Sequence, residues 1–227
     1  MTHSFRLLVF DFDGTLADSQ HLIVQAMSEA FARFRLPPPP PAAVRQVIGL
    51  KLEHVVAELL PDGAEAELAA RVAEGYRKVY FGLRAQPDCH EPLFPGVREG
   101  IAQLDRPDVC LGIATGKSRR GLMASLERHG LRHHFTTVQT ADDGPGKPHP
   151  ELLRRAMADA GAGPRETVLV GDTTFDMEMA VNAGVLAIGV AWGYHNVDEL
   201  RGGGAAGIVE AFRDLPDTLA MLKPGHP

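Results

Sequence analysis

Cysteine is scarce in this chain, which has two cysteines among 227 residues, Cys89 and Cys110. They do not have the spacing of a metal-binding cysteine motif, and Cys110 lies within an apolar run. Structural disulfides belong to oxidising compartments and usually require several paired cysteines. We therefore expect two buried free thiols in a protein of a reducing compartment.

Long hydrophobic runs are also absent. A membrane-spanning helix needs about 20 consecutive apolar residues, and no stretch of this sequence approaches that length. The first apolar run, at residues 7–10, is too short to be the apolar region of a secretory signal peptide. The sequence thus predicts a cytoplasmic protein with no membrane partner.

An excess of positive charge is missing as well, because the formal net charge is −6 at neutral pH. A general nucleic-acid surface needs a basic stripe, so we expect no nucleic-acid partner. A small anionic substrate is not excluded, since a site can be locally positive on an acidic protein. The composition leaves the oligomeric state open.

What the sequence does contain is an alternation of short apolar runs with segments of helical periodicity. Apolar residues make up 44% of the chain, enough for a proper core. Continuous apolar runs are typical of parallel strands buried on both faces. The pattern predicts an α/β fold with a Rossmann-like parallel sheet and helices on both faces. Its predicted strands cover residues 7–10, 109–114, 135–138, 167–170, 185–190 and 207–209.

One long segment interrupts the alternation directly after the first strand. From Asp18 to Leu83 the apolar residues recur at helical spacing, and no strand pattern is present. We therefore predict a core domain formed by residues 1–17 and 85–227. Residues 18–84 are predicted to form an inserted, small, all-helical cap domain over the strand ends.

Polar residues follow the predicted strands at the points where the strands end. Because parallel strands bring their carboxyl ends to one edge of the sheet, these residues are expected to converge there. Two carboxylates beside a buried strand are costly unless they are paired or bind a cation. A turn would explain Asp13 and Gly14, but it would not explain Asp11. The converging residues are Asp11, Asp13, Thr115, Gly116, Asp172 and Asp176, with Lys147 in a glycine- and proline-rich loop.

This set of charges favours phosphoryl transfer. Several carboxylates in one place indicate a hard divalent cation, and oxygen ligands favour Mg²⁺. A cation alone would not require Lys147 and Thr115, whereas a phosphoryl group would bind both. The Gly116 amide lies near a helix start, where it is able to donate to the same group. One carboxylate would then be the nucleophile, and a second would be the general acid and base.

Four short motifs carry a family resemblance. Asp11-x-Asp13-x-Thr15, Thr115, Lys147 and Gly171-Asp172-x-x-x-Asp176 occur in the order found in the haloacid dehalogenase-like hydrolase superfamily, which this chain resembles. Three smaller features are similar to those of its phosphoglycolate phosphatase-like branch. They are Phe94-Pro95-Gly96-Val97, Ala141-Asp142-Asp143 and Trp192-Gly193-Tyr194.

The resemblance implies a role for each matched residue and a magnesium cofactor. It implies a phosphatase that acts on a small phosphorylated metabolite through an aspartyl-phosphate intermediate. The implied roles are Asp11 as nucleophile, Asp13 as general acid and base, Asp11, the Asp13 carbonyl and Asp172 as metal ligands, Thr115 and Lys147 as phosphoryl-binding residues, and Asp176 as the residue that orients the metal site.

Two other functions stay open at this point. Dehalogenases and phosphonatases of the superfamily replace the second aspartate, so Asp13 favours phosphate-ester chemistry. The β-phosphoglucomutase branch keeps both aspartates but has a histidine twelve residues after the nucleophile. Ile23 occupies that position here, and His21 is displaced from it, so we favour hydrolysis over phosphomutase activity. A phosphate-binding module without catalysis is the non-enzymatic alternative.

Specificity residues are expected in the predicted cap, because a cap closes over the leaving group in this superfamily. Lys51 is the cation of the loop Gly49-Leu50-Lys51, and Arg45 lies about one turn earlier. Either residue would be able to bind a carboxylate or a second phosphate of the substrate, or both could face solvent. We expect the run Lys117-Ser118-Arg119-Arg120 to form the solvated start of a helix, from which Lys117 could still add positive potential near the site.

Overall fold

The computed structural model describes residues 5–86 and 89–222. Residues 1–4, 87–88 and 223–227, which belong to the predicted core domain, lie outside the described residues.

In the part of the chain that the structure describes, a six-stranded sheet forms the centre of the fold. Its strands are β1 (Leu7–Phe10), β2 (Cys110–Ala114), β3 (Thr137–Gln139), β4 (Thr167–Gly171), β5 (Leu186–Val190) and β6 (Gly207–Val209). Their order across the sheet is β3-β2-β1-β4-β5-β6, and every neighbouring pair is parallel. The predicted α/β fold with a Rossmann-like parallel sheet is therefore confirmed.

The register of the sheet brings three strand ends together. β1 lies between β2 and β4, and Phe10 pairs with both Ile113 and Val170. The three strands consequently end within one residue of this register position, at the same edge of the sheet. The strand order changes direction at β1, and ligands of open α/β sheets bind at such a point.

Helices cover both faces of the sheet. Successive residues of a strand point to opposite faces, and Leu8 and Phe10 join one apolar cluster while Leu7 and Val9 join another. The α-helices are α1 (Gln20–Arg33), α2 (Pro41–Val47), α3 (Leu52–Leu59), α4 (Ala66–Arg84), α5 (Val97–Leu104), α6 (Arg119–His129), α7 (Glu151–Ala160), α8 (Thr174–Ala183), α9 (Val197–Gly202) and α10 (Leu215–Met221). Short 3₁₀ helices cover Arg132–His134, Pro164–Glu166 and Phe212–Asp214.

Helices α1 to α4 form what we call the helical insert. They enclose an apolar cluster of their own, in which Phe31, Val56 and Val72 are fully buried. The apolar faces that predicted these helices therefore pack against one another and not against the sheet. The division into a core of residues 1–17 and 85–227 and a cap of residues 18–84 stays a prediction.

A few local predictions were wrong. The third strand lies at Thr137–Gln139, one or two residues later than predicted, and helix α9 was missed because six residues carry too little periodicity. Cys89 and Cys110 are free thiols, but both are half-buried and not fully buried. Within the described ranges, no helix has the length and apolarity that a membrane span requires.

Candidate active site

A cavity of about 120 Å³ lies between the carboxyl edge of the sheet and the helical insert. Asp11, Asp13, Thr115 and Gly116 line it from the side of the sheet. The predicted strand-end residues therefore meet at a space that a small molecule could occupy. The insert supplies an apolar wall that includes Ile23, Met27, Val55, Tyr76 and Phe81.

Three buried carboxylates lie together beneath this cavity. Asp11, Asp172 and Asp176 each place a carboxylate oxygen within 4.8 Å of the other two. Lys147 Nζ lies 2.7 Å from Asp11 Oδ2 and 2.6 Å from Asp176 Oδ1. The loop that carries Lys147 thus returns its ammonium to the end of β1, as the sequence predicted.

Close backbone packing holds Asp172 in place. Thr15 Oγ1 donates a hydrogen bond to Asp172 Oδ1 (2.8 Å), and the Tyr194 amide donates to Oδ2 (3.0 Å). A Cβ atom at Gly14 would lie 2.2 Å from Asp172 Oδ2, and one at Gly193 would lie 2.1 Å from Asp172 Cβ. Glycine is required at both positions because any side chain would displace this carboxylate.

Asp176 is fixed at the start of helix α8. Its Oδ2 accepts hydrogen bonds from the Thr173 hydroxyl (2.6 Å) and the Thr173 amide (3.2 Å) in a capping box. Its other oxygen, Oδ1, faces Lys147. Asp176 therefore caps the helix with one oxygen and orients the lysine with the other.

The electrostatics of this cluster favour a bound cation. Burial raises the pKa of Asp11 to about 7, and although Lys147 opposes this, Asp176 and Asp13 add to it. Burial and the neighbouring Asp11 and Asp176 likewise raise the pKa of Asp172 far above its usual range. Asp11 Oδ1 accepts no hydrogen bond from any described residue. Three carboxylates facing one ammonium fit a hard divalent cation with oxygen ligands.

Thr115 and Gly116 lie where β2 ends. The Thr115 amide donates to the Gln139 carbonyl (3.1 Å), and its hydroxyl oxygen accepts from the Lys117 amide (3.3 Å). No described residue accepts a hydrogen bond from the Thr115 hydroxyl, so its proton is left for a ligand. A Cβ atom at Gly116 would lie 2.5 Å from the Gly49 carbonyl oxygen, so the loop of the helical insert contacts this turn directly.

Asp13 is held through one of its two oxygens. Ser19 Oγ donates to Asp13 Oδ1 at 2.6 Å, and Lys117 Nζ lies 2.7 Å from the same oxygen. Ser19 occupies the N-cap position of helix α1, but its side chain makes no capping hydrogen bond. Its hydroxyl serves Asp13 instead.

The expected solvation of Lys117 was wrong, because its side chain is buried and only 5% exposed. Its charge does lie near the site, as expected, since Lys117 lines the cavity. Besides Asp13, Nζ contacts the Tyr80 hydroxyl (2.7 Å) and Glu91 Oε1 (3.1 Å). The run Lys117-Ser118-Arg119-Arg120 reads as a solvated helix start by composition. Its position directly after the polar turn at a strand end is the signal that places Lys117 near the site, but the composition gave no sign that its ammonium is buried.

The two candidate specificity residues lie differently. Lys51 is half-buried and lines the cavity, and in the described ranges it forms no ion pair. Arg45 is half-buried and lies outside the cavity lining. Ile23 lines the cavity, whereas His21 is exposed. The specificity roles of Arg45 and Lys51 stay predictions.

Comparisons with known proteins identify the family to which this chain belongs. The sequence matches the model of the haloacid dehalogenase-like hydrolase family over residues 8–190. It is 38% identical over 219 residues to a probable phosphatase, IndB, of Dickeya dadantii, covering 96% of this chain and 95% of that protein. It is 31% identical over 216 residues to a phosphoglycolate phosphatase of Chromobacterium violaceum, covering 94% of this chain and 96% of that protein.

A solved structure supports the same conclusion about the fold. A haloacid dehalogenase-like hydrolase from Bacteroides fragilis superposes with a TM-score of 0.84 at 26% identity, covering 93% of this chain and 100% of the other. The sequence and the fold thus agree with those of the family over nearly the whole length. This chain belongs to the haloacid dehalogenase-like hydrolase family, in the branch that contains phosphoglycolate phosphatases.

Proposed function

We propose that this chain is a Mg²⁺-dependent phosphatase that hydrolyses a small phosphomonoester through phosphate bound covalently to Asp11. The observation that carries the proposal is the position of Asp11. Its carboxylate lies at the end of the central strand, lines the cavity, and contacts Lys147 at 2.7 Å. A carboxylate held in this way is suited to attack phosphorus, as aspartate does in aspartyl-phosphate enzymes.

The first step transfers the phosphoryl group to the protein. An Asp11 oxygen forms a bond to phosphorus while the bond from phosphorus to the leaving oxygen breaks. Asp13 gives a proton to that oxygen, and the alcohol departs. The Thr115 hydroxyl, the Gly116 amide and the Lys147 ammonium bind the phosphoryl oxygens and oppose their negative charge.

The second step regenerates the carboxylate. Asp13, now ionised, takes a proton from water as the water oxygen bonds to phosphorus. The bond from phosphorus to Asp11 then breaks and inorganic phosphate leaves. The same residue thus serves as acid and as base, so the proton balance closes over one cycle.

The metal-binding group in this proposal consists of Asp11, the main-chain carbonyl of Asp13 and Asp172, and Asp176 orients the site through Lys147. Mg²⁺, when bound, would neutralise part of the charge on the phosphoryl oxygens. The raised pKa values of Asp11 and Asp172 support the assignment, because they arise from burial of the two carboxylates and, secondly, from neighbouring carboxylates, and a bound cation would offset both effects.

We further propose that residues 18–84 act as a cap and that the substrate is a small, phosphoglycolate-like metabolite. The modest cavity and the relatives named phosphoglycolate phosphatase support a small substrate. Lys51 lines the cavity on the side of the insert and would contact a polar group of the leaving alcohol; Arg45 is the second candidate. Location in the cytoplasm stays part of this proposal.

Hydrolysis is favoured over phosphomutase activity by the residue at position 23. The apolar Ile23 lines the cavity where the mutases of the family carry a histidine, and His21 is exposed. An apolar side chain is unable to exchange a proton with a sugar hydroxyl. Water therefore is the acceptor that this site favours.

The decisive experiment uses Asp13→Asn with p-nitrophenyl phosphate. Nitrophenolate needs little protonation, so the first step should continue while the second step loses its base. We expect a burst of about one nitrophenol per enzyme and then turnover slowed about 10²–10⁴-fold, the usual value of acid–base assistance. The trapped phosphate should add mass that hydroxylamine removes.

Asp11→Asn is the matched control, because it keeps the shape of the site but lacks the nucleophile. It should give neither a burst nor an added mass. A burst from Asp11→Asn, or unchanged turnover of an alkyl phosphate by Asp13→Asn, would refute the covalent mechanism. No magnesium-dependent hydrolysis by the folded wild-type protein would favour the phosphate-binding module.

A further inference from the structure

Four charged side chains of alternating sign form a buried chain that ends at Asp13. Asp13 Oδ1 lies 2.7 Å from Lys117 Nζ, which lies 3.1 Å from Glu91 Oε1. Glu91 Oε2 in turn lies 2.8 Å from Arg84 Nη1. Two cations and two carboxylates alternate, so each inner member has an opposite charge on both sides.

Glu91 is the central anion of this chain, and its side chain is completely buried. Burial alone would raise the pKa of Glu91, but Lys117, Arg84 and a hydrogen bond from Ser125 outweigh it and lower the pKa to about 2. Ser125 Oγ donates to Glu91 Oε2 at 2.7 Å. Glu91 is thus held as a carboxylate with both oxygens engaged.

This row of four charged side chains connects the helical insert to the sheet. Arg84 and Tyr80 belong to helix α4 of the insert, whereas Lys117 precedes helix α6 and Ser125 lies within it. Glu91 belongs to the segment that returns from the insert to the core. The Tyr80 hydroxyl, 2.7 Å from Lys117 Nζ and 3.3 Å from Glu91 Oε1, adds a second connection.

The row of ion-paired side chains fixes one oxygen of the Asp13 carboxylate. Both of its hydrogen bonds, from Ser19 and from Lys117, fall on Oδ1. Throughout the described ranges, Oδ2 receives none. Because Asp13 lines the cavity, one oxygen is anchored and the other is left to meet a leaving oxygen or a water molecule.

We propose that Glu91 is a positioning residue for Asp13. Resting on the phosphatase mechanism above, Glu91 fixes Lys117 Nζ against Asp13 Oδ1, and this contact turns Oδ2 toward the substrate. Without the Glu91 charge, Lys117 would have Asp13 and Tyr80 as its remaining partners and would be free to shift toward a phosphate in the cavity. The Asp13 carboxylate would then lose its orientation.

The main experiment compares Glu91→Gln with the wild-type protein on two substrates. An alkyl phosphate such as n-butyl phosphate needs a proton on its leaving oxygen, whereas p-nitrophenyl phosphate does not. A misplacement of about 1 Å costs up to about a hundredfold in rate. We therefore expect kcat for butyl phosphate to fall about tenfold to a hundredfold, with KM little changed.

Pre-steady-state kinetics separate positioning from simple loss of structure. With p-nitrophenyl phosphate, Glu91→Gln should keep the rate constant of the first step and a burst of full amplitude, while steady turnover slows. A Glu91 that only stabilises the fold would reduce the burst amplitude and both rates in the same proportion. That pattern, or an unchanged kcat for butyl phosphate, would overturn the proposal.

Two further variants cover the case in which Glu91→Gln does not fold, since removing one partner of a buried ion pair strongly destabilises a protein. Tyr80→Phe removes the hydroxyl next to Lys117, and Ser125→Ala removes one hydrogen bond to Glu91. Both should lower kcat for butyl phosphate more than the first-step rate, by a smaller factor. An equal fractional loss in kcat for butyl phosphate and in the first-step rate with p-nitrophenyl phosphate, or no loss in either, would refute the positioning role.

Asp105→Asn is the control for the loss of an ion pair elsewhere. Asp105 pairs with His134 at the end of helix α5, on the opposite edge of the sheet from the cavity. Its rates should match those of the wild type. Absence of any burst and hydrolysis in the wild type would instead refute the phosphatase mechanism itself, so the two failures are distinguishable.

Discussion

The buried carboxylates predict how Mg²⁺ should stabilise this protein at different pH values. Burial raises the pKa of Asp11 to about 7 in the folded protein, whereas an aspartate in an unfolded chain has a pKa near 3.9. The pKa of Asp172 is raised as well. Stability from these groups is therefore complete below about pH 4 and is lost as the pH rises through about 7.

A metal ion that binds the carboxylates must first displace their protons. At pH 5.5, about 1.5 units below the pKa of Asp11, the ionised form is about thirtyfold less populated than the protonated form. This competition weakens Mg²⁺ binding by about 2 kcal/mol relative to pH 8.5. Protonation of Asp172 would increase the difference. In a protein of this size, 2 kcal/mol corresponds to about 4–8 °C in Tm.

Thermal unfolding with and without saturating MgCl₂ measures this difference. We expect Mg²⁺ to raise Tm by about 4–8 °C more at pH 8.5 than at pH 5.5, with NaCl of equal ionic strength as the reference. In Asp11→Asn the difference should shrink, because Asp11 no longer titrates. An equal effect of Mg²⁺ at both pH values, or an undiminished difference in Asp11→Asn, would refute this reasoning.

Two further predictions concern the contact between the helical insert and the sheet. Lys51→Ala should raise KM about tenfold for 2-phosphoglycolate, as expected for one lost charged hydrogen bond, and leave p-nitrophenyl phosphate nearly unchanged; equal changes would show that Lys51 does not bind the leaving group. Gly116→Ala should raise KM for both substrates, because the new methyl group would meet the Gly49 and Leu50 carbonyl oxygens at 2.5 and 2.7 Å. Gly82→Ala is the control, because a Cβ atom there meets nothing within 4 Å. Equal KM values for Gly116→Ala and Gly82→Ala would contradict a tight contact at Gly116.

The sheet was predictable because its strands are buried on both faces. Such strands are continuous apolar runs, and β1, β2, β4 and β5 all lie within predicted runs or within one residue of them. At β3 the apolar run did not give the correct bounds of the strand. Phe135 is buried in the core without belonging to the strand, because burial alone does not distinguish a strand residue from a loop residue that packs inward.

The convergence of the site residues was predictable from topology alone. Once the strands are parallel, Asp11, Thr115 and Asp172 must leave the sheet at the same edge. The hydrogen bonds and close contacts that hold each of these side chains were not predictable. Asp172 accepts hydrogen bonds from Thr15 and Tyr194 and packs against Gly14 and Gly193. Only the path of three separate loops brings these partners together.

The misreading of Lys117 has a physical cause that applies beyond this residue. A lysine followed by Ser118, Arg119 and Arg120 resembles a solvated helix start, because burying an ammonium is costly unless its charge is compensated. The compensation here comes from Glu91, which is 26 positions away, and from Asp13, which is 104 positions away. Composition within a short window carries no information about such partners. A buried ion pair is weak evidence for stability in itself. The role in orientation is assigned because Lys117 contacts Asp13 Oδ1 and so leaves Oδ2, the oxygen proposed to exchange the proton, facing the substrate.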